Sequence, residues 1–589
     1  MGSSKGILTW SVVAGWAMWV STAVALPGIY VGKDSQSRIA HTTHMVLLLG
    51  PGISVVTIVA DYEGPLEPFA LLLPVPSDVG LSRLSTIKRR FVSRLEQLSA
   101  PRLHTFYEQD PCWKGPVQQQ WDERIAAKGR GFLAPPVMPP VDDHYVVSNE
   151  ISRPIRPVFK GAESEFSYHV LVQPTLSVVR AWLERNGYRV EADPLEGLKR
   201  HLSGANLVIA EVRVGRAELL GPRRLQLGGI RYWTRQPVTT IGSTLGRFNG
   251  HNEQDLFVYV LHREHRFEAK NYENVILPTN VGVKLEARRR LGAVYNALFD
   301  VGRSRTPLAM MQEFVWSTQG CGLPCPNAPL DLGELMSLGA DVVEGETVTA
   351  AERNRKPPPE MAAEKAKLEQ ELAGVSPEQA RRMRQDHDQI RRELFFRRAL
   401  AARHVYVLSR LHARYEASSL PRDFEIGPAD HAIEGGVGVP VGPAGVLPMD
   451  ARPAAQSRLQ MRFVATRAWS GPVACSDPAR WRWGKRWKSL RHVWRAVAIA
   501  QNLPSCGRDR EALIMALSAP VPAFGLMGAS AVPAARAPKP GGSGALRPKG
   551  GCSVSHPSVP GRTPVWGLSL LLLVGLSLAR PWRPIMRRP

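Results

Sequence analysis

Cysteine is the first residue type in this chain whose spacing could do chemistry. Cys321 and Cys325 stand four residues apart in the segment GCGLPCPNAP. A zinc site needs two further thiolate or imidazole ligands at suitable spacing, and the sequence offers no second such pair. We therefore favour disulfides over a metal site, which agrees with the exported location indicated below. The disulfide candidates, whose connectivity the sequence does not fix, are Cys112, Cys321, Cys325 and Cys475.

Two histidine pairs are the next candidates for metal binding. His262 and His265 lie three residues apart in LHREH, a spacing that puts them on opposite faces of a strand. His41 and His44, in HTTH, would also lie on opposite faces of a strand, unless a turn brings them together. We predict exposed histidines and no metal site. The chain also lacks the G-x-S-x-G, H-E-x-x-H and phosphate-loop patterns, so we assign no catalytic residue and expect no cofactor.

A tryptophan-rich basic run, RWRWGKRWKSLRHVWR, carries seven Lys/Arg between Arg480 and Arg495. Interleaved aromatic and cationic side chains suit stacking on nucleic-acid bases, but they also suit contact with anionic lipid or lipopolysaccharide. A locally packed structural segment is a further alternative, and nucleic acid is the least favoured partner of an exported protein. The residues predicted to contact a surface or lipid are Trp481, Trp483, Arg486, Trp487 and Trp494.

The N-terminus predicts export. Lys5 precedes the uncharged run GILTWSVVAGWAMWVSTAVA, which ends in the small residues Ala23 and Ala25. A short basic region, an apolar core and a small-x-small site are typical of a secretory signal peptide, with cleavage here after Ala25. A retained N-terminal anchor is the alternative. Either way, we expect the main body outside the cytoplasm.

The C-terminus predicts an anchor. A Gly/Pro-rich linker leads to Gly551 and Cys552, then to an apolar stretch from 565 to 579 and a terminal arginine cluster. That stretch of about fifteen residues is shorter than the roughly twenty that cross a bilayer comfortably, and the arginines favour a cytoplasmic end. We expect this segment to be short enough to be a processing substrate, and we expect no disulfide at Cys552, because a flexible linker gives this cysteine no fixed partner.

The net charge of +23 comes mainly from the C-terminal part of the chain, residues 480–589. From Arg480 to the last residue there are 18 Lys/Arg but only Asp509 and Glu511 among the acidic residues. In the rest of the chain, basic and acidic residues are nearly equal in number, which argues against a nucleic-acid-binding domain.

Hydrophobic patterning indicates the elements that must position these residues. Apolar, β-branched runs such as HMVLLLGPGISVVTIVADYEG, NLVIAEVRV, DLFVYVLHREHRFEA and HVYVLSRLHARYEASSL predict strands. Helices are predicted for LSTIKRRFVSRLEQLSAPRL, for PTLSVVRAWLERNGY with Thr175 at its start and Gly187 at its end, and for Glu286 to Asp300. Strands and helices alternate irregularly, so the fold class is α+β: a β-rich secreted domain with several helices, an inserted helical hairpin and a C-terminal hydrophobic helix.

Composition predicts a helical arm with Ser376 and Gln379 as a capping box. The predicted organisation is a signal peptide at 1–25, a main α+β domain at 26–343, a helical hairpin or arm at 344–404, the closing part of the main domain at 405–480, a Trp/Arg-rich basic segment at 481–519, a flexible linker at 520–551 and a sorting signal at 552–589 with a hydrophobic helix at 565–579.

Several segments, in order, resemble an uncharacterised secreted bacterial family, domain of unknown function 2330. They are ADYEGPLEPFALLLPVPSD, NEQDLFVYVL, NVILPTNVGV, VYVLSRLHARY and RAWSGPVACSDP, and the resemblance covers roughly 26–483. It implies an extracytoplasmic domain, often with a C-terminal anchor, and brings no assigned activity. Members usually begin with two closely spaced cysteines, where this chain has LPGIYVGKD.

The tail resembles the C-terminal sorting signal called MYXO-CTERM, through its linker, Gly-Cys element, short hydrophobic helix and arginine cluster. The resemblance implies cleavage near Cys552 by a dedicated sorting protease, lipid attachment to the cysteine and display at the cell surface or outer membrane. Without cleavage, the protein would stay in the inner membrane facing the periplasm.

The sequence supports two main functional hypotheses. The first is a surface-anchored, non-catalytic module for binding or envelope structure, with the membrane, and anionic lipid or lipopolysaccharide, as partners. The second is an envelope hydrolase whose site is assembled from distant residues, and binding of extracellular nucleic acid is a third, less favoured reading.

Overall fold

The structure of this chain, a computed structural model, describes the part that follows the predicted signal peptide. The chain divides into two units, Met1–Ala535 and Arg536–Pro589, and the described residues all lie in the first. They are 28–113, 158–159, 164–249, 253–318, 330–343, some residues between 369 and 385, 405–416, 420–443, 445, 447–484, 510–524 and 526.

The described strands are short to medium in length. In chain order they are β1 Ile29–Gly32, β2 Thr42–Gly50, β3 Ile53–Glu63, β4 Phe69–Pro76, β5 Leu84–Ile87, β6 Arg102–Glu108, β7 Val158–Phe159, β8 Phe166–Leu171, β9 Ala205–Val212, β10 Glu218–Gly221, β11 Arg224–Gln226, β12 Gly229–Thr234, β13 Thr240–Ile241, β14 Glu253–His262, β15 Phe267–Ala269, β16 Asn274–Ile276, β17 Val281–Gly282, β18 Met310–Ser317, β19 Val407–Glu416, β20 Phe424–Pro428, β21 Ile433–Gly435, β22 Arg452–Pro453, β23 Arg458–Gln460, β24 Arg462–Arg467 and β25 Trp483–Gly484.

The described helices are fewer. They are α1 Arg90–Ser99, α2 Leu176–Arg185, α3 Ala192–Lys199, α4 Leu291–Arg305, α5 Leu332–Leu335, α6 Asp341–Val343 and α7 Arg510–Ala516, with a π-helical turn at Met336–Ala340 and 3₁₀ turns at Leu81–Arg83, Val214–Arg216, Ser243–Phe248, Leu285–Arg290 and Pro522–Phe524.

A mixed sheet of 14 described strands forms the centre of the fold, with the main order β22-β21-β23-β18-β19-β14-β2-β3-β12-β5-β7. Strands β2 and β3 form an antiparallel hairpin, whereas β14 runs parallel to β2 and antiparallel to β19. Three smaller sheets have the orders β1-β4-β9-β8, β13-β20-β15 and β17-β24-β6-β25. Mixed strand directions and irregularly placed helices confirm the α+β fold class.

Each face of the large sheet is covered. On one face, residues such as Met45 and Leu47 pack with Leu71 and Val208 of the four-stranded sheet that contains β4 and β9. On the other face, Val46 and neighbouring side chains pack with residues of α1. Helix α4 belongs to a further cluster, in which Leu298 and Phe299 pack with Leu513 and Leu517.

The chain from 405 onward completes these sheets. Strand β19 lies between β14 and β18, and β24 pairs in parallel with β6, more than 300 residues earlier in the sequence. Packed side chains continue to Val521 and Leu526, which are 1% and 0% exposed, a little beyond the predicted start of the linker at 520.

Most of the predicted strands and helices are present, with one boundary wrong. The periodic segment beginning at Leu84 is not one helix, because Leu84–Ile87 pairs as β5 with β12 and the helix begins only at Arg90. Ser85, Thr86 and Ile87 suit a strand, and the available partner strand decides the outcome. Helix α2 follows the prediction: Thr175 Oγ1 accepts from the N–H of Val178, and Gly187 has φ +76°.

The helical arm is described only in part. Residues 377–382 are helical, and Ser376 Oγ accepts a 3.4 Å hydrogen bond from the N–H of Gln379, as the capping pattern predicts. The predicted hydrophobic helix at 565–579 lies outside the described residues. Among those that are described, no helix combines the length and apolar composition needed to cross a membrane.

Candidate functional site

A row of charged side chains lies inside the protein, on one face of β19. Because side chains alternate along a strand, Arg410, His412 and Arg414 all point to the same face. All three are buried, at 0%, 1% and 4% exposure. Buried charges persist in proteins only where partners compensate them, so their partners define the site.

Glu313 is the first partner, and a bulge presents it. The pairing of β18 with β19 shifts between Gln312 and Phe314, which leaves Glu313 as the extra residue. Its Oε2 accepts a 2.7 Å hydrogen bond from Nε of Arg410, and both side chains are 0% exposed. Burial alone would raise the pKa of Glu313, but Arg410 and His412 outweigh burial and lower it. The carboxyl group therefore remains ionised as the counter-ion of Arg410.

Asp255 on β14 is the second partner. It accepts hydrogen bonds at 2.7 and 3.2 Å from Nε and Nη2 of Arg414, and its Oδ1 lies 3.0 Å from Nε2 of His412. Burial would raise the pKa of Asp255, but Arg414 and then His412 hold it well below its ordinary value. Since a carboxylate can only accept, the Nε2–H of His412 donates to Asp255.

Tyr295 of α4 closes the cluster from above the sheet. Its hydroxyl group donates to Glu313 and lies 2.7 Å from Nδ1 of His412, which is itself 3.1 Å from Oε1 of Glu313. Burial, and then the charge of Glu313, raise the pKa of Tyr295 well above its ordinary value. The phenol therefore stays protonated.

Asp255, His412 and Tyr295 follow the order carboxylate, imidazole, hydroxyl that also occurs in hydrolases. Their surroundings favour a structural role. Tyr295 is 1% exposed and its hydroxyl group already donates to Glu313, while the His412 ring stacks on Phe257 at 4.1 Å. In this conformation the cluster therefore joins β14, β18, β19 and α4.

A second constellation lies around the disulfide between Cys112 and Cys475. The bond joins residues 363 apart in sequence, with a Cα–Cα distance of 5.4 Å. It ties the end of β6 to the loop that follows β24, next to the strand pair β6–β25. Two of the four predicted cysteines therefore pair with each other, while Cys321 and Cys325 lie outside the described residues.

Glu108, the last residue of β6, organises this loop. Its carboxylate accepts hydrogen bonds from the backbone N–H groups of Trp469 and Trp481, at 2.8 and 2.9 Å, and from Nε of Arg480 at 2.7 Å. Burial would raise the pKa of Glu108, but the hydrogen bonds, of which that of Arg480 is the strongest, lower it. Trp481 has φ +62°, a conformation that non-glycine residues rarely adopt, and Glu108 helps to hold it.

The two described tryptophans of the basic run behave differently. Trp483 is 4% exposed and packs with Phe106 and Val464, which fits the packed structural alternative. Trp481 is 36% exposed, and the guanidinium group of Arg480 lies 4.7 Å from its ring. An exposed tryptophan beyond the basic run, Trp113, is 43% exposed beside the disulfide.

The exposed Trp113 also has a cation beside it. The guanidinium carbon of Arg482 lies 5.7 Å from its ring, and Arg482 donates to the backbone carbonyl of Trp113. We call Trp113, Trp481, Arg480 and Arg482 the Trp/Arg patch. The remaining predicted site residues lie outside the described residues; they are Ala23, Ala25, Arg486, Trp487, Trp494, Gly551 and Cys552.

The predicted exposure of the histidine pairs holds only in part: His265 is exposed and His41 and His262 are half-buried, but His44 is buried. His44 is 1% exposed, and His41 pairs with Glu63 at 2.9 Å. Strand β14 ends at His262, and the following turn stacks the rings of His262 and His265 with centroids 5.3 Å apart. Within the part of the chain that the structure describes, no group of three or more His, Cys, Asp or Glu residues is placed to hold a metal.

Sequence reasoning missed the buried charged row, although a signal for it exists. The segment VLSRLHARYE places Arg410, His412, Arg414 and Glu416 at alternate positions, so a strand of this sequence has one face that is polar or charged after Leu408. Such a face ordinarily indicates solvent exposure. Only the long-range partners Asp255 and Glu313, 157 and 97 residues away from His412 and Arg410, make it an interior face.

Comparison with known proteins gives one match. A family model described as "Uncharacterized protein conserved in bacteria (DUF2330)" matches residues 21–427. No curated protein and no solved structure matches the chain.

Proposed function

Because the chain belongs to the bacterial family DUF2330, we propose that it is an exported protein that holds a folded domain at the cell envelope as a non-catalytic binding or structural module. The family description assigns no activity, so the proposal rests on residues of this chain. We propose further that the domain is anchored at the cell surface or outer membrane.

The disulfide between Cys112 and Cys475 is the observation that carries this proposal. Disulfides persist in oxidising compartments and are rare where glutathione and thioredoxin keep thiols reduced. In a bacterium, this pairing supports a location beyond the inner membrane. It agrees with the small residues Ala23 and Ala25 at the end of an apolar N-terminal run, which favour cleavage of a signal peptide.

The C-terminal tail supplies the proposed anchor. Gly551 and Cys552 precede the apolar stretch 565–579 and the terminal arginines. Cleavage near Cys552 by a sorting protease and lipid attachment to its thiol would leave the domain attached to the membrane through its C-terminus. The Trp/Arg patch would then contact anionic lipid or lipopolysaccharide, because exposed indoles and arginines suit the interfacial zone of such a surface.

The buried charged row supports a structural module more than a hydrolase. Asp255, His412 and Tyr295 are engaged with one another and with Glu313 beneath α4. These three groups thus already stabilise the interior. We therefore place the partner of this protein at its surface.

Intact-mass analysis of the native protein, combined with membrane fractionation, tests the proposal. We expect a chain that begins near Leu26, ends at or close to a lipid-modified Cys552 and sediments with the outer membrane. Peptide mapping without reductant should recover Cys112 cross-linked to Cys475. An unprocessed chain that still carries Arg588 would refute the sorting step, and free thiols at Cys112 and Cys475 in native protein would refute export.

A further inference from the structure

Three polar side chains from different elements interact electrostatically between α1 and the large sheet. They are His44 on β2, Glu96 on α1 and Arg410 on β19. His44 and Arg410 share the same two aromatic rings: the His44 ring centroid lies 5.1 Å from Phe257 and 6.1 Å from Tyr259, and the Arg410 guanidinium carbon lies 4.7 and 5.6 Å from them.

Several atoms of these three groups have no hydrogen-bond partner. Arg410 donates from Nε to Glu313, but its Nη1 and Nη2 are buried without an acceptor. Nε2 of His44 and Oε1 of Glu96 are also buried without a hydrogen-bond partner. Buried polar atoms are almost always paired, and an unpaired charged group is especially costly. An additional bound species between these atoms would satisfy them.

The three groups do not satisfy one another directly. Nε2 of His44 lies 3.8 Å from Oε1 of Glu96, which is too long for a hydrogen bond. Among the ion pairs of the described residues, none joins Glu96 to Arg410. Glu96 is 15% exposed at the side chain, whereas His44 is 1% and Arg410 0% exposed, so Glu96 stands at the outer end of the group.

The local charge favours a negative occupant. His44 is held in its neutral form, because burial, and then the charges of Arg89, Arg410 and His412, lower its pKa well below the ordinary value. Burial, followed by the charge of Arg410, also lowers the pKa of Arg102, to about 9. The smaller, electrostatic part of each shift comes mainly from neighbouring cations, which would attract an anion, and guanidinium N–H groups can only donate.

We propose that Arg410, His44 and Glu96 form a buried site for one small inorganic anion of the halide class, held between α1 and the large sheet. The free Nη1 and Nη2 groups of Arg410 donate to the anion. His44 donates from Nε2 in the tautomer whose Nδ1 accepts from the hydroxyl group of Tyr259, 3.4 Å away.

Glu96 makes the site sensitive to pH. Burial, the largest effect, raises its pKa to about 7, although Arg410 and Arg89 oppose the rise. Below that value the carboxyl group is neutral and tolerates an anion beside it; above it, the carboxylate competes for the same guanidinium group. The other charged or titratable groups that act on these side chains are Arg89 just before α1, Arg102 of β6, Asp255 and Tyr259 of β14, Tyr295 of α4, Glu313 of β18 and His412 of β19.

Thermal unfolding of the purified full chain, with bromide as the probe, tests the site. Bromide would replace gluconate at constant ionic strength and constant sodium, at about pH 6 and about pH 8.5, so that screening stays equal. We expect bromide to raise Tm by about 2 °C or more at the lower pH, with saturation, and by much less at the higher pH. Crystals grown in bromide should show anomalous scattering beside Nη1 and Nη2 of Arg410.

The variant Glu96→Gln separates the site from general salt effects. It removes the competing charge, so the bromide response should become equal at both pH values. Arg410→Lys should abolish the response, and Arg382→Gln, at an arginine whose side chain is 71% exposed, should leave it unchanged.

If Arg410→Lys does not fold, the proposal is tested by the bromide response of Glu96→Gln and by the anomalous scattering from the bromide crystals. No bromide-specific rise in the wild-type protein at about pH 6 would overturn the proposal. An unchanged pH dependence in Glu96→Gln would overturn it as well.

Discussion

The contact between Glu313 and Arg410 is the most consequential ion pair in the described interior, because both side chains are fully buried. Such pairs gain attraction from the low dielectric, but each partner has also lost its hydration. The pair therefore contributes little beyond what an apolar pair could, yet it becomes indispensable once one partner is present. That asymmetry gives a direct test.

Glu313→Gln should lower the free energy of unfolding by about 3–5 kcal/mol, since it leaves the charge of Arg410 without its counter-ion. Guanidinium chloride unfolding of the purified protein measures the change. The double variant Glu313→Gln/Arg410→Met removes both charges and should recover part of the loss. As a matched control, Glu378→Gln breaks an exposed pair with Arg382, whose two side chains are 73% and 71% exposed, and should cost less than about 1 kcal/mol. A loss of similar size in Glu313→Gln and Glu378→Gln would contradict the structural role of the buried pair.

At the scale of elements, the sheet β17-β24-β6-β25 brings distant parts of the chain to one edge. Pairing of β6 with β24 and β25, together with the disulfide, fixes the Trp/Arg patch beside the strand ends. Glu108 then holds the backbone of Trp481 through its buried carboxylate. The patch is therefore built on a rigid edge, although its residues come from loops.

The double variant Trp113→Ala/Trp481→Ala should weaken binding to vesicles containing phosphatidylglycerol by about tenfold, because it removes two exposed indoles from the interfacial zone. Co-sedimentation at several salt concentrations measures the affinity, and the remaining binding should fall with salt because arginines supply it. Leu219→Ala, at an apolar residue that is 61% exposed on β10, is the control and should bind like the wild-type protein. Equal affinity of the double variant and this control would rule out the patch as a lipid contact.

Elements were predictable from the sequence where short-range patterning decides them. Alternation located β2, β3, β9 and β14, and a cap and a glycine located α2. The segment from Leu84 was mispredicted because its apolar spacing fits a helix, while pairing with β12 makes its first turn a strand. The charged cluster could not be predicted, since Asp255, Glu313 and His412 meet only through the order of strands in the large sheet.

At the scale of the whole molecule, two sets of buried carboxyl groups change the free energy of unfolding with pH in opposite directions. Asp255 and Glu313 have pKa values below the ordinary range, held there by Arg414 and Arg410 against the effect of burial. Their contribution is complete above the ordinary carboxyl pKa and is lost as the pH falls through their lower folded-state values. Glu96 and Glu165 have pKa values raised to about 7 chiefly by burial, so the folded state holds their protons more tightly than the unfolded state does.

Titration of Glu96 and Glu165 should therefore lower stability by on the order of 1–3 kcal/mol between about pH 5 and about pH 8, because folding favours their protonated forms between the ordinary carboxyl pKa and about 7. His44, whose pKa is lowered chiefly by burial, acts in the opposite direction up to its ordinary pKa of about 6.5. Thermal unfolding across this range, in gluconate buffers without halide, measures the profile. The double variant Glu96→Gln/Glu165→Gln should flatten the decline on the alkaline side and leave the acid side unchanged, since Asp255 and Glu313 still titrate there. Glu378→Gln, whose carboxyl group is exposed, should keep the wild-type profile. Parallel Tm profiles of the wild-type protein and the double variant from about pH 5 to about pH 8 would mean that these two carboxyl groups are ionised at neutral pH, and the competition proposed between Glu96 and a bound anion would then lose its basis.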